Sequence, residues 1–204
     1  MKADVPVFIV DDDPAVREGL SALLAAKRYK VETYASATEF LAALGPEPVG
    51  CLIADIRMSG MSGMELQREL TRRGLPIPTV IITGHGDVPL AVAALKAGAV
   101  DFLEKPFDSD ALLASVAEAM RRLGKDKAQG FSRADIAARA ETLSVREREV
   151  MDLVVAGQPN KVIAHRLGIA IRTVEIHRAR VMEKLGARNL SELVRMAILL
   201  ESAP

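Results

Sequence analysis

Four short apolar runs in the first half of the chain each close on a polar side chain suited to one chemistry. Asp11 follows Val7-Phe8-Ile9-Val10, and Asp12 and Asp13 extend it into an acidic run. Asp55 follows Cys51-Leu52-Ile53-Ala54. Thr83 follows Thr79-Val80-Ile81-Ile82, and Lys105 lies just past Val100-Asp101-Phe102-Leu103. Such runs between helical patterns predict strands of a parallel sheet buried on both faces. Ligands of such sheets bind outside the carboxyl ends of the strands. Carboxylates, a hydroxyl and an ammonium are therefore expected at one edge. Clustered carboxylates suit a hard divalent cation such as Mg2+, and added Lys and Thr donors suit a phosphoryl group. Each residue alone could simply terminate a strand, but four ends of matching types argue against that.

The segments between the runs read as helices. Asp13-Pro14 is an N-cap and first helical residue of a helix to about Lys27, a structural task preferred for Asp13 over a metal role. Val31–Tyr34 reads as a strand, and Ser36 to Glu39 as a capping box opening a helix to about Leu44. Gly60, Ser62 and Gly63 make a flexible loop before a helix from about Met64 to Arg73. Further helices are expected from about Val88 to Ala97 and from Asp108 or Ser109 to near Gly124. Strands and helices alternating this way predict a doubly wound α/β domain with right-handed crossovers. Half of the 204 residues are hydrophobic, but only 3% are aromatic and Trp is absent, so Leu, Val, Ile and Ala must fill the core. The lone Cys51 can form no internal disulfide and reads as an inert buried thiol of a reducing cytoplasm. Met1 to Pro6 holds no signal-peptide apolar stretch, and no run is fit to span a bilayer, so no membrane role is expected.

The formal net charge of zero hides an asymmetry. Residues 131–204 hold twelve Lys and Arg against nine Asp and Glu, so the rest of the chain is acidic by the same margin. Gly124 to Gly130 is a polar linker with glycine at both ends, and Ser132 to Asp135 could cap a short helix. From Leu143 the periodicity is helical throughout. Ser144 to Glu147 is a capping box; Asn160 reads as the cap of the next helix and Gly168 as its end. Ile171–Leu185 is a third helix with Val174, Val181 and Leu185 inward, and Asn189 to Glu192 caps a fourth. Four short helices with tight turns can hold a helix-turn-helix. Between Lys161 and Arg188 there are seven Lys and Arg and two Glu, so positive charge concentrates on the helix pair. Opposite Val174 and Val181 the third helix carries Arg172, Glu175, Ile176, Ala179, Arg180 and Glu183. An exposed Ile176 suits a thymine methyl, and Glu175 could accept from cytosine N4. Lys161, Thr173, Arg178 and Arg180 are expected at phosphates. His177 reads equally as a packing residue and as a phosphate contact.

Residues 5–122 resemble the receiver domain of two-component response regulators. The resemblance rests on the acidic pair after the first strand, Asp after the third, Thr after the fourth and Lys105-Pro106 after the fifth. It implies a flavodoxin-like sheet of order 2-1-3-4-5 and a phospho-acceptor Asp55 served by a sensor histidine kinase. It further implies Mg2+ held by Asp11, Asp12, Asp55 and the backbone carbonyl of Arg57. Lys105 would pair with the phosphoryl oxygens, across a cis bond to Pro106, and Thr83 would swing in to donate. Phe102 then reads equally as core and as a switch aromatic. Ser59 and Gly84 depart from the family pattern beside the site. His85 reads as exposed loop.

Residues 142–200 resemble the LuxR/FixJ-type helix-turn-helix, through Leu143-Ser144, Arg146-Glu147, Gly157, Asn160-Lys161, Ile163-Ala164, Leu167, Thr173-Val174-Glu175, His177 and Lys184-Leu185-Gly186. Ala170 departs where relatives carry a capping Ser. The two resemblances imply a receiver at 1–123, a linker at 124–141, partly helical, and a DNA-binding domain at 142–204. They imply a cytoplasmic, phosphorylation-switched transcription factor, an activator rather than an enzyme, acting on promoter DNA with RNA polymerase. Homodimerisation on phosphorylation would use the fourth helix, with Ala91, Val92 and Leu95, the fifth strand and the last receiver helix. Nitrogen-fixation or oxygen-regulated genes are the implied targets. A phosphatase of the haloacid-dehalogenase type, with Asp11 as nucleophile, needs a further acidic pair past Lys105 and leaves Asp55 and the second half unexplained. A DNA-binding protein with a vestigial receiver conflicts with the completeness of the site.

Overall fold

The computed structural model describes residues 5–75, 77–84, 88–123 and 132–201. His85 and the expected linker 124–130 lie outside the described residues. The elements run β1 (Pro6–Val10), α1 (Pro14–Ala26), β2 (Lys30–Tyr34), α2 (Ala37–Ala43), β3 (Cys51–Asp55), α3 (Gly63–Arg72), β4 (Thr79–Thr83), α4 (Val88–Lys96), β5 (Asp101–Glu104) and α5 (Ser109–Leu123). Then follow α6 (Arg133–Glu141), α7 (Val145–Val155), α8 (Asn160–Leu167), α9 (Ile171–Leu185) and α10 (Leu190–Glu201). By proximity in space the described residues form two compact units, one holding β1 to β5 with α1, α2, α3 and α5, the other holding α4 with α6 to α10. No helix among the described residues is long and apolar enough to cross a membrane.

The strands form one parallel sheet in the order β2-β1-β3-β4-β5. Central β3 and β4 are buried at every residue, as unbroken apolar runs require, whereas the edge strands β2 and β5 are partly open. Parallel register places Val10 beside both Tyr34 and Ala54, Asp55 beside Ile82, and Thr83 beside Glu104. The strands therefore end level, and the residues that close them line one edge. Val7, Ile9, Cys51, Ile53, Val80 and Ile82 share a core with Leu20 and Leu24 of α1 and Leu112, Val116 and Ala119 of α5. Neighbouring residues point the other way: Phe8 meets Phe40 of α2 at 5.2 Å between ring centroids. Burial pushes the Cys51 thiol up to about 12, which leaves it unreactive.

Local chemistry starts the helices. Asp13 caps α1, accepting from the Ala15 amide at 2.8 Å. Ser36 Oγ accepts from the Glu39 amide, but the Glu39 carboxylate reaches the Ala35 amide, one residue before the cap, so the expected box is shifted. The supposed flexible loop at Ser62-Gly63 is instead a complete capping box, with Ser62 and Glu65 each satisfying the other's backbone amide. Ala91, Val92 and Leu95 of α4, an apolar stripe expected to be partly core, are all buried.

The four expected helices α7 to α10 are present, and α6 precedes them. Ile136 and Ala140 of α6 belong to the core formed by Val150, Val154, Ile163, Val174, Val181, Leu185 and Leu193. Part of the stretch read as linker is thus packed helix, because two apolar residues one turn apart suffice to seat a short helix. Arg139 Nη1 donates to the Leu185 carbonyl at 3.0 Å, capping the end of α9. Ser144 and Glu147 form the expected capping box on α7. Gly168 ends α8 at φ +66°, the left-handed turn that a side chain would strain.

Candidate functional site

The row at the carboxyl edge of the sheet brings Asp11, Asp55 and Lys105 into contact. The Lys105 ammonium donates to Asp11 Oδ2 at 2.9 Å and to Asp55 Oδ1 at 2.7 Å. Both carboxylates are buried, Asp11 at 1% and Asp55 at 5% exposure, so a cation between them offsets charge that the interior would otherwise disfavour. Burial pulls the Lys105 ammonium down, but bonds to Asp55 and Asp11 outweigh it and raise the group above its ordinary value. The remaining Asp55 oxygen accepts from the Arg57 amide at 2.6 Å. The other Asp11 oxygen accepts from the Asp13 amide at 2.9 Å. The Lys105–Pro106 peptide is cis, as expected.

Other expected members stand differently. Asp12 is exposed, and its Oδ2 accepts from the Ser59 amide at 2.8 Å. Among the described residues no three carboxylate, imidazole or thiol side chains converge as a metal cluster. The donor set is nevertheless all oxygen, which suits a hard divalent ion, provided Asp12 leaves Ser59. Thr83 is buried at the end of β4, and Phe102 is half-buried beside Ile81. Arg57 is exposed.

Two residues that the sequence reading overlooked support this edge. Arg17 Nη1 donates to the Asp11 carbonyl at 2.6 Å and so pins the loop between β1 and α1. Gly63 lies directly on β3: a Cβ there would come 2.3 Å from the Asp55 carbonyl oxygen. Glycine at the first position of an otherwise well-capped helix is the signal that could have exposed this close approach.

The second candidate surface is the α8–α9 pair. Lys161, Arg172, Glu175, Ile176, Ala179, Arg180 and Glu183 are all exposed, and Ile176 is 44% exposed. Arg172 and Glu175 pair at 3.1 Å along the surface. Thr173 and His177 are half-buried, and His177 Nδ1 is buried with no hydrogen-bond partner. Ala170 starts α9 without a side-chain cap. Asn160 does not cap α8; Pro159 holds that place, with no side-chain hydrogen bond. Asn160 Oδ1 instead accepts from Arg178 Nη1 at 2.5 Å. Arg178, expected at a phosphate, is half-buried, and that burial lowers its pKa while the nearby Glu175 charge acts in the other direction. Below this pair α7 is tied to α9: Lys184 Nζ donates to Glu147 Oε2 at 2.6 Å and to the Thr142 carbonyl at 3.0 Å.

A parallel sheet with paired carboxylates and a lysine at its carboxyl edge, followed by a basic helix-turn-helix, is the make-up of a response regulator that acts on transcription. Residues 7–117 match the model of the response regulator receiver domain, and residues 141–197 match that of the luxR family of bacterial regulatory proteins. The chain belongs to the response regulators that join these two domains, which are transcription factors rather than enzymes. Such a pairing implies a kinase partner and DNA as target, and receivers typically bind Mg2+ at the acceptor site.

Over 204 residues the chain is 48% identical to the transcriptional regulatory protein FixJ of Azorhizobium caulinodans, an alignment covering 100% of this chain and 97% of that one. It is 48% identical over 196 residues to the C4-dicarboxylate transport transcriptional regulatory protein DctR of Rhodobacter capsulatus, covering 93% of this chain and 98% of that one. The crystal structure of full-length FixJ from B. japonicum matches with a TM-score of 0.56 at 45% identity, over 97% of this chain and 98% of that one.

Proposed function

We propose that Asp55 is the phospho-acceptor of this response regulator. The observation that carries the reading is the Lys105 ammonium held at 2.7 Å from Asp55 Oδ1 and 2.9 Å from Asp11 Oδ2 at the carboxyl edge of the sheet. An Asp55 carboxylate oxygen attacks the phosphorus of a phosphohistidine on a sensor kinase. The new O–P bond forms as the P–N bond breaks, and the imidazole leaves with its electron pair and takes up a proton. Lys105 moves from bridging two carboxylates to pairing with the phosphoryl oxygens, where negative charge now gathers. Asp11, Asp12, Asp55 and the Arg57 carbonyl would hold Mg2+, which when bound supplies further positive charge at those oxygens. Thr83 donates to the phosphoryl group, and Phe102, half-open on β5, repacks.

The receiver is assigned to residues 1–123. The DNA-binding domain, assigned to 142–204, counts α6 with it because Ile136 and Ala140 lie in its core. Lys161, Thr173 and Arg180 contact phosphates, and Arg172, Glu175, Ile176 and Ala179 face the bases. The phosphorylated protein dimerises, occupies paired half-sites in promoter DNA and recruits RNA polymerase as an activator in the cytoplasm. Nitrogen-fixation or oxygen-regulated genes are the proposed targets, although a relative of equal identity is named for C4-dicarboxylate transport. Intact-mass measurement after treatment with Mg2+ and a small phosphodonor tests the acceptor. Asp55→Asn should stay folded and gain no phosphoryl mass; a stoichiometric gain in that variant refutes the assignment.

A further inference from the structure

Two departures from expectation on the helix-turn-helix share one cause. Asn160 forgoes the cap of α8, a bond that typically contributes about 1 kcal/mol, and α8 begins with no side-chain cap at all. Arg178, the basic residue nearest the middle of α9, is half-buried rather than presented to solvent. Each is accounted for by the other, since Arg178 Nη1 donates to Asn160 Oδ1 at 2.5 Å.

The position of Arg178 on its helix supports the same reading. It lies one turn beyond Val174 and one turn before Val181, both buried, so it falls in the stripe that faces α8 and the core. The exposed residues Arg172, Glu175, Ile176, Ala179 and Arg180 occupy the other side. A guanidinium in the inner stripe cannot join that row without turning away from Asn160, which would leave a partly buried carboxamide oxygen unpaired. The guanidinium is also rigid and planar, so the bond fixes direction as well as distance.

We infer that Arg178 is a positioning residue, not a phosphate contact: through Asn160 it sets the angle between α8 and α9 and so the pose in which the exposed face of α9 meets DNA. Lys161 follows Asn160 directly on α8, so the same bond holds a phosphate-facing lysine in register with the base-facing row on α9. A small rotation of α9 would misplace several base contacts together while leaving the positive charge of the surface intact. The signature is therefore loss of discrimination between sequences with the electrostatic part of binding preserved.

The test uses the full chain and two probes, a duplex selected from a random library by the unsubstituted protein and a duplex of random sequence. Affinities are measured across a salt series. Asn160→Ala leaves the charge of Arg178 in place, and Arg178→Met removes it. Each should weaken binding to the selected duplex by about tenfold, narrow the ratio between the two duplexes, and leave the slope against log salt unchanged. The double variant should be no worse than the singles, because both remove one interaction. Asn160→Asp keeps an acceptor for the guanidinium and should retain the ratio, even if its added charge weakens both duplexes equally. The inference is overturned if Arg178→Met flattens the salt slope by about one unit while Asn160→Ala binds normally, since that is the behaviour of a lost phosphate contact. It is equally overturned if the two losses add, or if Asn160→Asp discriminates as poorly as Asn160→Ala. Should Arg178→Met melt below the assay temperature, Asn160→Ala and Asn160→Asp decide the matter alone.

Discussion

Replacing Glu147 by Gln should loosen the tie between α7 and α9. The Glu147 side chain is 4% exposed; its Oε2 accepts from Lys184 Nζ at 2.6 Å and from the Ser144 amide at 2.8 Å. Those bonds, the lysine first, hold its carboxyl at about 2 against an ordinary 4.5. Gln keeps an acceptor for the Ser144 amide but loses the charge facing Lys184. A hydrogen bond to a charged group contributes about 1.5–3 kcal/mol. The Lys184 end is 36% exposed, and water there screens the pair, which favours the lower part of that range. A loss of about 1.5–2 kcal/mol corresponds to a fall of about 6–16 °C in Tm for a domain of this size. Circular dichroism melts of the full chain, following the transition of the helical unit, measure it. Because the folded carboxyl is depressed, its contribution is complete above about pH 4.5 and fades as pH falls toward 2. The parent and the Gln variant should therefore differ at neutral pH and converge in acid. A shift under about 2 °C at pH 7 would refute the reasoning, because it would mean that the charge contributes almost nothing across this buried bond.

Gly63→Ala should force a Cβ against the Asp55 carbonyl, destabilise the sheet unit by about 1–3 kcal/mol and slow acceptance of phosphate, checked by melts and by intact mass against time. Asp12→Ala should bind Mg2+ more weakly, because an oxygen ligand is lost from an ion that relies on carboxylates; isothermal titration checks it. Lys161→Ala should weaken all duplexes alike and flatten the salt slope by about one unit, whereas Ile176→Ala should change the preferred sequence.

The sheet was legible because its central strands are buried on both faces. Runs such as Cys51 to Ala54 and Thr79 to Ile82 carry no competing periodicity, and the polar residue that ends each one marks the functional edge. Helix starts were legible at Asp13 and Ser144, whose side chains cap their own helices, but not at Ser62, where the flanking glycines suggested a loop. The misreadings share a different cause: the deciding partner is distant in sequence. Gly63 at the start of a capped helix hints at a close approach, but nothing nearby names the Asp55 carbonyl as what it rests on. Asn160 looks like a cap until Arg178, a full helix away, claims its oxygen. The bond from the Ser59 amide to Asp12 was likewise beyond reach of the sequence, because it joins residues 47 positions apart. A short helix from Ser132 was legible, but two buried residues in nine were too short a pattern to show that α6 packs into the helical core. Charge composition located the basic helix pair but could not distinguish Arg178, turned inward, from Arg180, turned outward.

The central claim is that one carboxylate controls DNA binding through its phosphorylation. One sample can test it: the full chain with Mg2+ and a small phosphodonor, divided between intact-mass measurement, light scattering and binding to a selected duplex. The account predicts that one added phosphoryl group per chain, a doubling of particle mass and tighter binding appear together, and that Asp55→Asn shows none of the three. Stoichiometric phosphorylation with no doubling of particle mass and unchanged DNA affinity would contradict it.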